Sequence, residues 1–376
     1  MASPKTRGAT IPDRRVIAGP GDVVAIGAGP GGMNLGARIL SLPCRIVGAD
    51  LDVDACDTGR AAGFERVQCD MRELAPARHR SVHGAIVTSP CPSFSKSGKR
   101  LGLQDMQDVL DAITCIGSGC TCDWRHVPHR VRDPRSALVV EAARWILTAP
   151  DLEWFVLEQV PDVEHIWEDI AAEAFSAGWE TVDLVKLSAT DFGLPSKRAR
   201  VFLYGRRYDT TRVSVHDAGW NGAGLPRHSM ASVLGLPIGT RIITRGDRKT
   251  SGGNVFSADG PSWCLTGSTR SWKLAAPNGP VRELTAGEAG LLNGFPPDFP
   301  WQGSRTKQFL QVADVVNPII GAIVLGVATN TPWVDPVLGY LRSLYGAGRR
   351  AVVPGEPAVE GRATQLDLFD LAGCSA

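Results

Sequence analysis

No apolar run in the 376 residues approaches the ~18 needed to cross a bilayer, and Met1-Ala2-Ser3-Pro4-Lys5 lacks the apolar core of a signal peptide. The chain is therefore expected to be globular, to stay in the cytoplasm and to have no membrane partner. A regular cysteine framework is missing too. Nine cysteines is an odd number without repeating spacing, so in a reducing compartment they are expected to be catalytic, metal-binding or buried rather than disulfide-paired. Strong net charge is also absent. A balance of +1 argues against a uniformly basic nucleic-acid binder. Lysine is scarce beside arginine, while Ala, Gly and Pro are abundant, a usage that hints at a GC-rich bacterial or phage genome.

What is present is ample material for a core. A hydrophobic fraction of 43% in 376 residues suits one large domain plus a smaller one. The charge that cancels overall is unevenly spread. Between Arg206 and Arg282 stand eleven Lys/Arg against four acids, giving +7 there and, against a total of +1, −6 elsewhere. Trp220, Phe256, Trp263 and Trp272 lie in the same segment among many Gly, Ser, Thr and Asn. That composition suits phosphate and base-edge contacts, and it also fits a solvated basic loop region.

The first half alternates strand-like and helix-like runs, the pattern of a doubly wound α/β sheet. Asp22–Ile26 reads as a first strand, followed by Gly27-Ala28-Gly29-Pro30-Gly31-Gly32, a helix-compatible run to Leu40, and a second strand Arg45–Ala49 closed by Asp50. Glycines let the backbone approach a ligand, and an acid ending the second strand can hold ribose hydroxyls. The spacing is not the strict dinucleotide fingerprint and fits NAD, FAD and S-adenosylmethionine enzymes alike. A third strand runs to Cys69-Asp70, a fourth is Gly84–Thr88, a helix covers Arg135–Leu147, and further strands are Trp154–Leu157, Glu180–Leu187 and Arg200–Gly205.

The fourth strand leads into Ser89-Pro90-Cys91-Pro92-Ser93-Phe94-Ser95. Prolines on both sides of Cys91 fix φ and hold it at a stiff turn at the carboxyl end of a strand, where open sheets bind ligands. An isolated cysteine there is equally a small buried hydrophobe. Glu158, closing the next strand, is placed to share a pocket with it. Arg198 and Arg200, two residues apart, would point the same way on a strand, either as surface charges or toward that pocket.

Taken in order, these motifs resemble those of the DNA (cytosine-5)-methyltransferases over roughly Asp22–Ala328. Gly29, Gly31 and Gly32, with Gly27 beside them, match that family's S-adenosylmethionine loop, and Asp50 and Asp70 stand where it binds ribose and adenine. Pro90-Cys91 matches its nucleophile motif, with Ser95 as the following serine. Asp133-x-Arg135 with Leu138, Glu158-Gln159-Val160, Ser196-x-Arg198-x-Arg200, the run Arg282–Pro296 and Gln311–Pro318 complete the series.

The resemblance implies a Rossmann-like, mostly parallel S-adenosylmethionine-dependent sheet with a small target-recognition domain. It also implies catalytic residues Cys91, Glu158, Arg198 and Arg200, and cofactor contacts from Gly27, Gly29, Gly31, Gly32, Asp50, Asp70 and Pro90. The implied reaction is methyl transfer from S-adenosylmethionine to carbon 5 of a flipped-out cytosine in double-stranded DNA, through a covalent Cys91 adduct. The same chemistry on RNA or a free nucleotide, and an inactive DNA-binding relative, are the alternatives. Expected boundaries are 1–205 and 283–345 for the catalytic part, 206–282 for recognition and 346–376 for a tail. A monomer is expected, with a restriction endonuclease as a genetic partner. Lys96, Lys99 and Arg100 would sit on a loop closing over the base.

The sequence departs from that pattern at several positions. Gly27 stands where the family commonly has phenylalanine, Pro92 and Ser196 each where it has glutamine, and Gln159 and Asp314 each where it has asparagine. An insertion outside the pattern carries Cys115, Cys120, Cys122, His126 and His129. Its spacing is no standard zinc finger, and it reads as a glycine-rich loop or as a zinc site. The expected set of metal ligands is none.

Overall fold

The computed structural model describes residues 15–19, 21–90, 93–94, 101–119, 127–208, 215, 227–244 and 255–346. Cys91, Pro92, Ser95, Lys96, Lys99, Arg100, Cys120, Cys122, His126, Trp220, several of the basic residues between Arg206 and Arg282, and the tail from residue 347 lie outside the described residues.

Among the described residues, eleven strands and eleven α-helices follow one another in an α/β order. The strands are β1 (Val23–Ile26), β2 (Ile46–Asp50), β3 (Glu65–Gln68), β4 (Gly84–Thr88), β5 (Trp154–Gln159), β6 (Thr181–Ser188), β7 (Ala199–Arg206), β8 (Arg241–Ile243), β9 (Val255–Ser257), β10 (Lys273–Ala275) and β11 (Val281–Glu283). The helices are α1 (Gly32–Ile39), α2 (Val53–Ala61), α3 (Met106–Gly117), α4 (Val127–Arg130), α5 (Val140–Thr148), α6 (Glu164–Ser176), α7 (Met230–Leu234), α8 (Ala286–Leu292), α9 (Arg305–Asp314), α10 (Pro318–Ala328) and α11 (Val334–Tyr345).

The main sheet has the order β3-β2-β1-β4-β5-β7-β6. β1 to β5 pair in parallel, while β7 runs antiparallel to both β5 and β6. The interior strand β1, Val-Val-Ala-Ile, is buried along its whole length, as a strand covered on both faces must be. One face packs on α3, α5 and α6 through residues such as Ile113, Trp145 and Trp167. The other packs on α1, α10 and α11 through Met33, Ile323 and Leu341.

β8 to β11 form a separate antiparallel sheet, β11-β10-β8-β9. Its inner row is Arg282, Leu274, Ile242 and Phe256, directly paired across the strands. Ile242 and Leu274 belong to a third core with Phe295, Trp301 and Phe309 of the returning chain.

Two expectations are corrected. Arg305–Ala328 is long and apolar enough, by length and composition alone, to cross a membrane, and 89% of the qualifying window is buried inside the molecule as α9 and α10. The sequence expectation missed it because Lys307 and Asp314 break the apolar run. Cys115, at the end of α3, is disulfide-bonded, contrary to the expectation of unpaired thiols, whereas Cys56, Cys69 and Cys264 form no disulfide. Among the described residues no cluster of three or more His, Cys, Asp or Glu is arranged for a metal ion.

Candidate active site

The strand order reverses between β1 and β4, and their carboxyl ends open into a cavity of about 410 Å³. Open α/β sheets bind ligands at such a switch point. Three structural groups converge there.

The glycine loop is the first. Gly27 and Gly29 line the cavity and have φ of 67° and 52°, values that favour glycine. At Gly27 a side chain is excluded sterically as well, because a Cβ would stand 2.0 Å from the Thr88 carbonyl oxygen. Thr88 also clasps that turn by donating its hydroxyl to the Gly27 carbonyl at 2.5 Å. Phenylalanine is therefore impossible at position 27 in this packing, which explains that departure. Gly32 lines the cavity and packs on Val316, whereas Gly31 does not line it. A Cβ at Gly31 would meet Phe64 at 2.4 Å and Arg66 at 3.0 Å.

Arg66 is a residue that the sequence reading missed. It is buried, and donates to the Gly29 carbonyl at 3.1 Å and to Asn34 Oδ1 at 2.8 Å, bracing the loop from behind. Gly48 and Gly59 leave room for it, since a Cβ on either would come within 2.4 and 2.6 Å of its guanidinium end. Burial pushes its pKa down to about 10.

The acids are the second group. Asp50, at the end of β2, accepts from the Gly29 N–H at 2.8 Å and from the Asp52 N–H at 2.9 Å. Burial raises its pKa, and those two backbone donors counter the rise only in part. Asp70 is clamped by Arg72, with contacts of 2.6 and 3.0 Å. Burial works against that carboxylate, but the Arg72 hydrogen bonds outweigh it and hold the pKa low. Asp52 caps α2 and meets Lys307 Nζ at 2.8 Å, a link across 255 residues that no local pattern signals. Leu51 and Met71 add apolar wall.

The third group lies at the ends of β4, β5 and β7. Thr88 pairs with Glu158, so Ser89 and Pro90 run beside Glu158 and Gln159, and all of them line the cavity. The chain reaches Cys91 at the next residue, outside the described set. Gln159 ties the two strand ends together: its Nε2 donates to the Ser89 carbonyl at 3.0 Å, while its Oε1 accepts from the Val160 N–H at 2.7 Å. Glu158 Oε1 lies 3.0 Å from Arg200 Nε, with side-chain exposures of 7% and 13%. Burial raises the Glu158 pKa, and the Arg200 and Arg198 charges reduce the rise without cancelling it.

The two arginines do not act side by side. Arg198 precedes β7, so strand alternation does not align it with Arg200. It reaches the end of α9 instead, donating to the carbonyls of Ala313 at 2.5 Å and Val315 at 2.8 Å. Arg200 lines the cavity and Arg198 does not. Arg135 and Leu138 line the opposite side, with Arg135 held by Asp133 at 2.7 Å. From α9, Lys307, Gln311 and Asp314 complete the wall.

No protein-family profile matches the chain. Among curated proteins it is 27% identical over 338 residues to the type II methyltransferase M1.HphI of Haemophilus parahaemolyticus, covering 78% of this chain and 82% of that protein. It is 25% identical to M.AplI of Arthrospira platensis, covering 79% and 82%, and 21% identical to M.NgoMIV of Neisseria gonorrhoeae, covering 79% and 93%. Among solved structures, S. pombe Dnmt2 methyltransferase superposes with a TM-score of 0.59 at 14% identity, over 82% of this chain and 98% of that one. A Spodoptera frugiperda DNMT2 mutant gives 0.58, also at 14%, over 83% and 100%. These structural likenesses show a shared fold.

Proposed function

We propose that this chain, a distant homologue of the type II methyltransferases, transfers the methyl group of S-adenosylmethionine to carbon 5 of a cytosine extruded from double-stranded DNA, by way of a covalent Cys91 adduct. The observation that carries this reading is one cavity with two different halves. At one end stand the glycine loop and Asp50, and at the other the buried Glu158–Arg200 pair beside the strand end that leads to Cys91.

The residues present fit the cofactor. Gly27 and Gly29 keep side chains out of the floor, Asp50 is oriented by two backbone donors and retains free lone pairs for ribose hydroxyls, and Leu51 and Met71 offer apolar surface for a purine. When bound, the group supplies an electrophilic methyl. Everything else falls to the chain.

Carbon 5 of cytosine is a poor nucleophile until electrons are pushed into the ring. The Cys91 thiolate adds to carbon 6, while Glu158, whose pKa burial raises, acts as the acid toward N3 and takes up the charge that develops there. Arg200, anchored on Glu158, faces the base oxygen, and Arg198 positions this end of the cavity by holding the terminus of α9. Loss of the carbon-5 proton and expulsion of Cys91 restore the ring. Such chemistry is closed to a stacked base, so the target is flipped at a cost of a few kcal/mol. The basic 206–282 segment, including the small sheet, grips the duplex. Domain limits of 1–205, 206–282 and 283–345 follow from that division.

The test is mechanism-based trapping on duplex DNA carrying 5-fluorocytosine. A covalent complex is expected that requires both S-adenosylmethionine and Cys91, and that Cys91→Ser abolishes. If the protein binds the cofactor yet forms no adduct on mixed-sequence duplexes, the reading fails; an adduct on RNA alone moves the substrate to RNA. Bisulfite sequencing of DNA from expressing cells then gives the sequence recognised.

A further inference from the structure

Asp314 stands apart from the other acids of the cavity wall. Of the other acids lining that wall, Asp50 is held by backbone donors, Asp52 by Lys307, Asp70 by Arg72 and Glu158 by Arg200. The Asp314 carboxylate is exposed into the cavity, and no side chain among the described residues forms a hydrogen bond or ion pair with it. Its surroundings still feel its charge. Burial raises its pKa, Arg198 and Arg200 favour the ionised form, and Asp50 and Asp52 oppose it.

Its position is unfavourable for stability in a second way. Asp314 is the last residue of α9, where the helix dipole is negative, and it follows the carbonyl that Arg198 caps. A carboxylate at a helix carboxyl end, with no side-chain partner among the described residues, works against folding, whereas an amide of the same shape would not. Strain of this kind persists where a charge serves the site.

We propose that the Asp314 carboxylate is a charge selector, favouring the cationic methyl donor over the neutral thioether left after transfer. The proposal rests on reading the cavity as the S-adenosylmethionine site. In the reaction the carbon–sulfur bond to the methyl breaks and the methyl–carbon 5 bond forms. The sulfur keeps the bonding pair and loses its positive charge, and the carbon-5 proton leaves to solvent. S-adenosylhomocysteine therefore carries one positive charge fewer than S-adenosylmethionine and is otherwise the same molecule apart from the methyl. A fixed negative charge in the wall separates the two by charge alone, and it speeds product departure where shape cannot.

Calorimetric titration of both ligands into the full chain tests this, using wild type, Asp314→Asn and Asp314→Ala. The ratio of the product's Kd to the donor's is expected to fall by about five- to tenfold in both variants, the size expected for one unit charge a few ångströms away at a partly buried site. In parallel, the ligand-free thermal midpoint should rise, because an unpaired carboxylate is removed; a purely structural role predicts the reverse. An unchanged ratio in Asp314→Asn, with both ligands still binding, overturns the selector and leaves the cofactor reading intact. A change in Asp314→Ala alone also overturns it, since lost shape or hydrogen bonding would then be the cause. Wild type that binds neither ligand overturns the cofactor reading, and the selector with it.

Discussion

The role proposed for Glu158 requires an acid at a pH where carboxylates are ordinarily ionised; burial at the end of β5 raises its pKa, and the Arg200 and Arg198 charges take back only part of that rise. Its raised pKa has a signed consequence. The protonated form persists above the usual carboxylate range, so the step that needs it declines as pH rises through the raised value. Glu158→Gln offers an amide N–H donor in place of the acid O–H but has no proton to give. It should lower single-turnover methyl transfer by about 10²–10⁴, leave cofactor affinity unaltered, and abolish that alkaline decline. A residual profile still falling at the wild-type pH would remove Glu158 from the role. Asp314 gives the corresponding stability statement. A carboxyl whose folded pKa is raised contributes most below its unfolded value of about 3.9, and that contribution is lost as pH climbs through the folded one. The stabilisation in Asp314→Asn should therefore be full near pH 8 and vanish near pH ~3.5, by thermal melts across that range.

At the scale of elements, the glycine loop stands between two supports, Thr88 in front and Arg66 behind. Gly27→Ala must force a methyl against the Thr88 carbonyl at a backbone angle unfriendly to side chains. It should cost about 2–4 kcal/mol by denaturant unfolding; a cost near zero would mean that β1 and β4 part more easily than their pairing implies. Arg66→Met leaves the Gly29 carbonyl and Asn34 without their donor, and it should weaken S-adenosylmethionine binding beyond the loss in stability, measured as Kd well below the thermal midpoint.

The sequence disclosed these elements unevenly. Gly84–Thr88 is legible to the residue because a short apolar run ends in Ser-Pro, and Glu158 is legible as the end of another such run, although β5 continues through Gln159. Arg66 is not legible, since an arginine inside Glu65–Gln68 carries no sign that three glycines elsewhere were making room for it. Nor is the divergence of Arg198 from Arg200: alternation applies only within a strand, and β7 begins at Ala199.

Over the whole molecule, the charge divides into a +7 segment and a −6 remainder, and the duplex contact proposed above falls to the basic segment. The small sheet turns Arg241 and Lys273 outward and buries Ile242 and Leu274. Arg241→Ala and Lys273→Ala should each reduce the slope of log affinity against log salt by about 1 in fluorescence anisotropy, with little effect on cofactor binding. An unchanged slope in both would place the duplex elsewhere. The basic bias was visible in composition, whereas the four-stranded architecture was not, because three-residue strands are too short for alternation to register.

The packing of α1 on α10 is so close that a Cβ on Gly32 would lie 1.9 Å from the Val316 carbonyl, and one on Gly36 would lie 2.7 Å from the Ala322 nitrogen. The glycine-loop floor of the cavity, made from the first fifty or so residues, thus has a wall made by residues 307–316. On the ribosome the order of synthesis becomes a safeguard. A nascent chain can lay down β1 to β5 and still have no closed chamber, and it acquires one only when its last helices emerge.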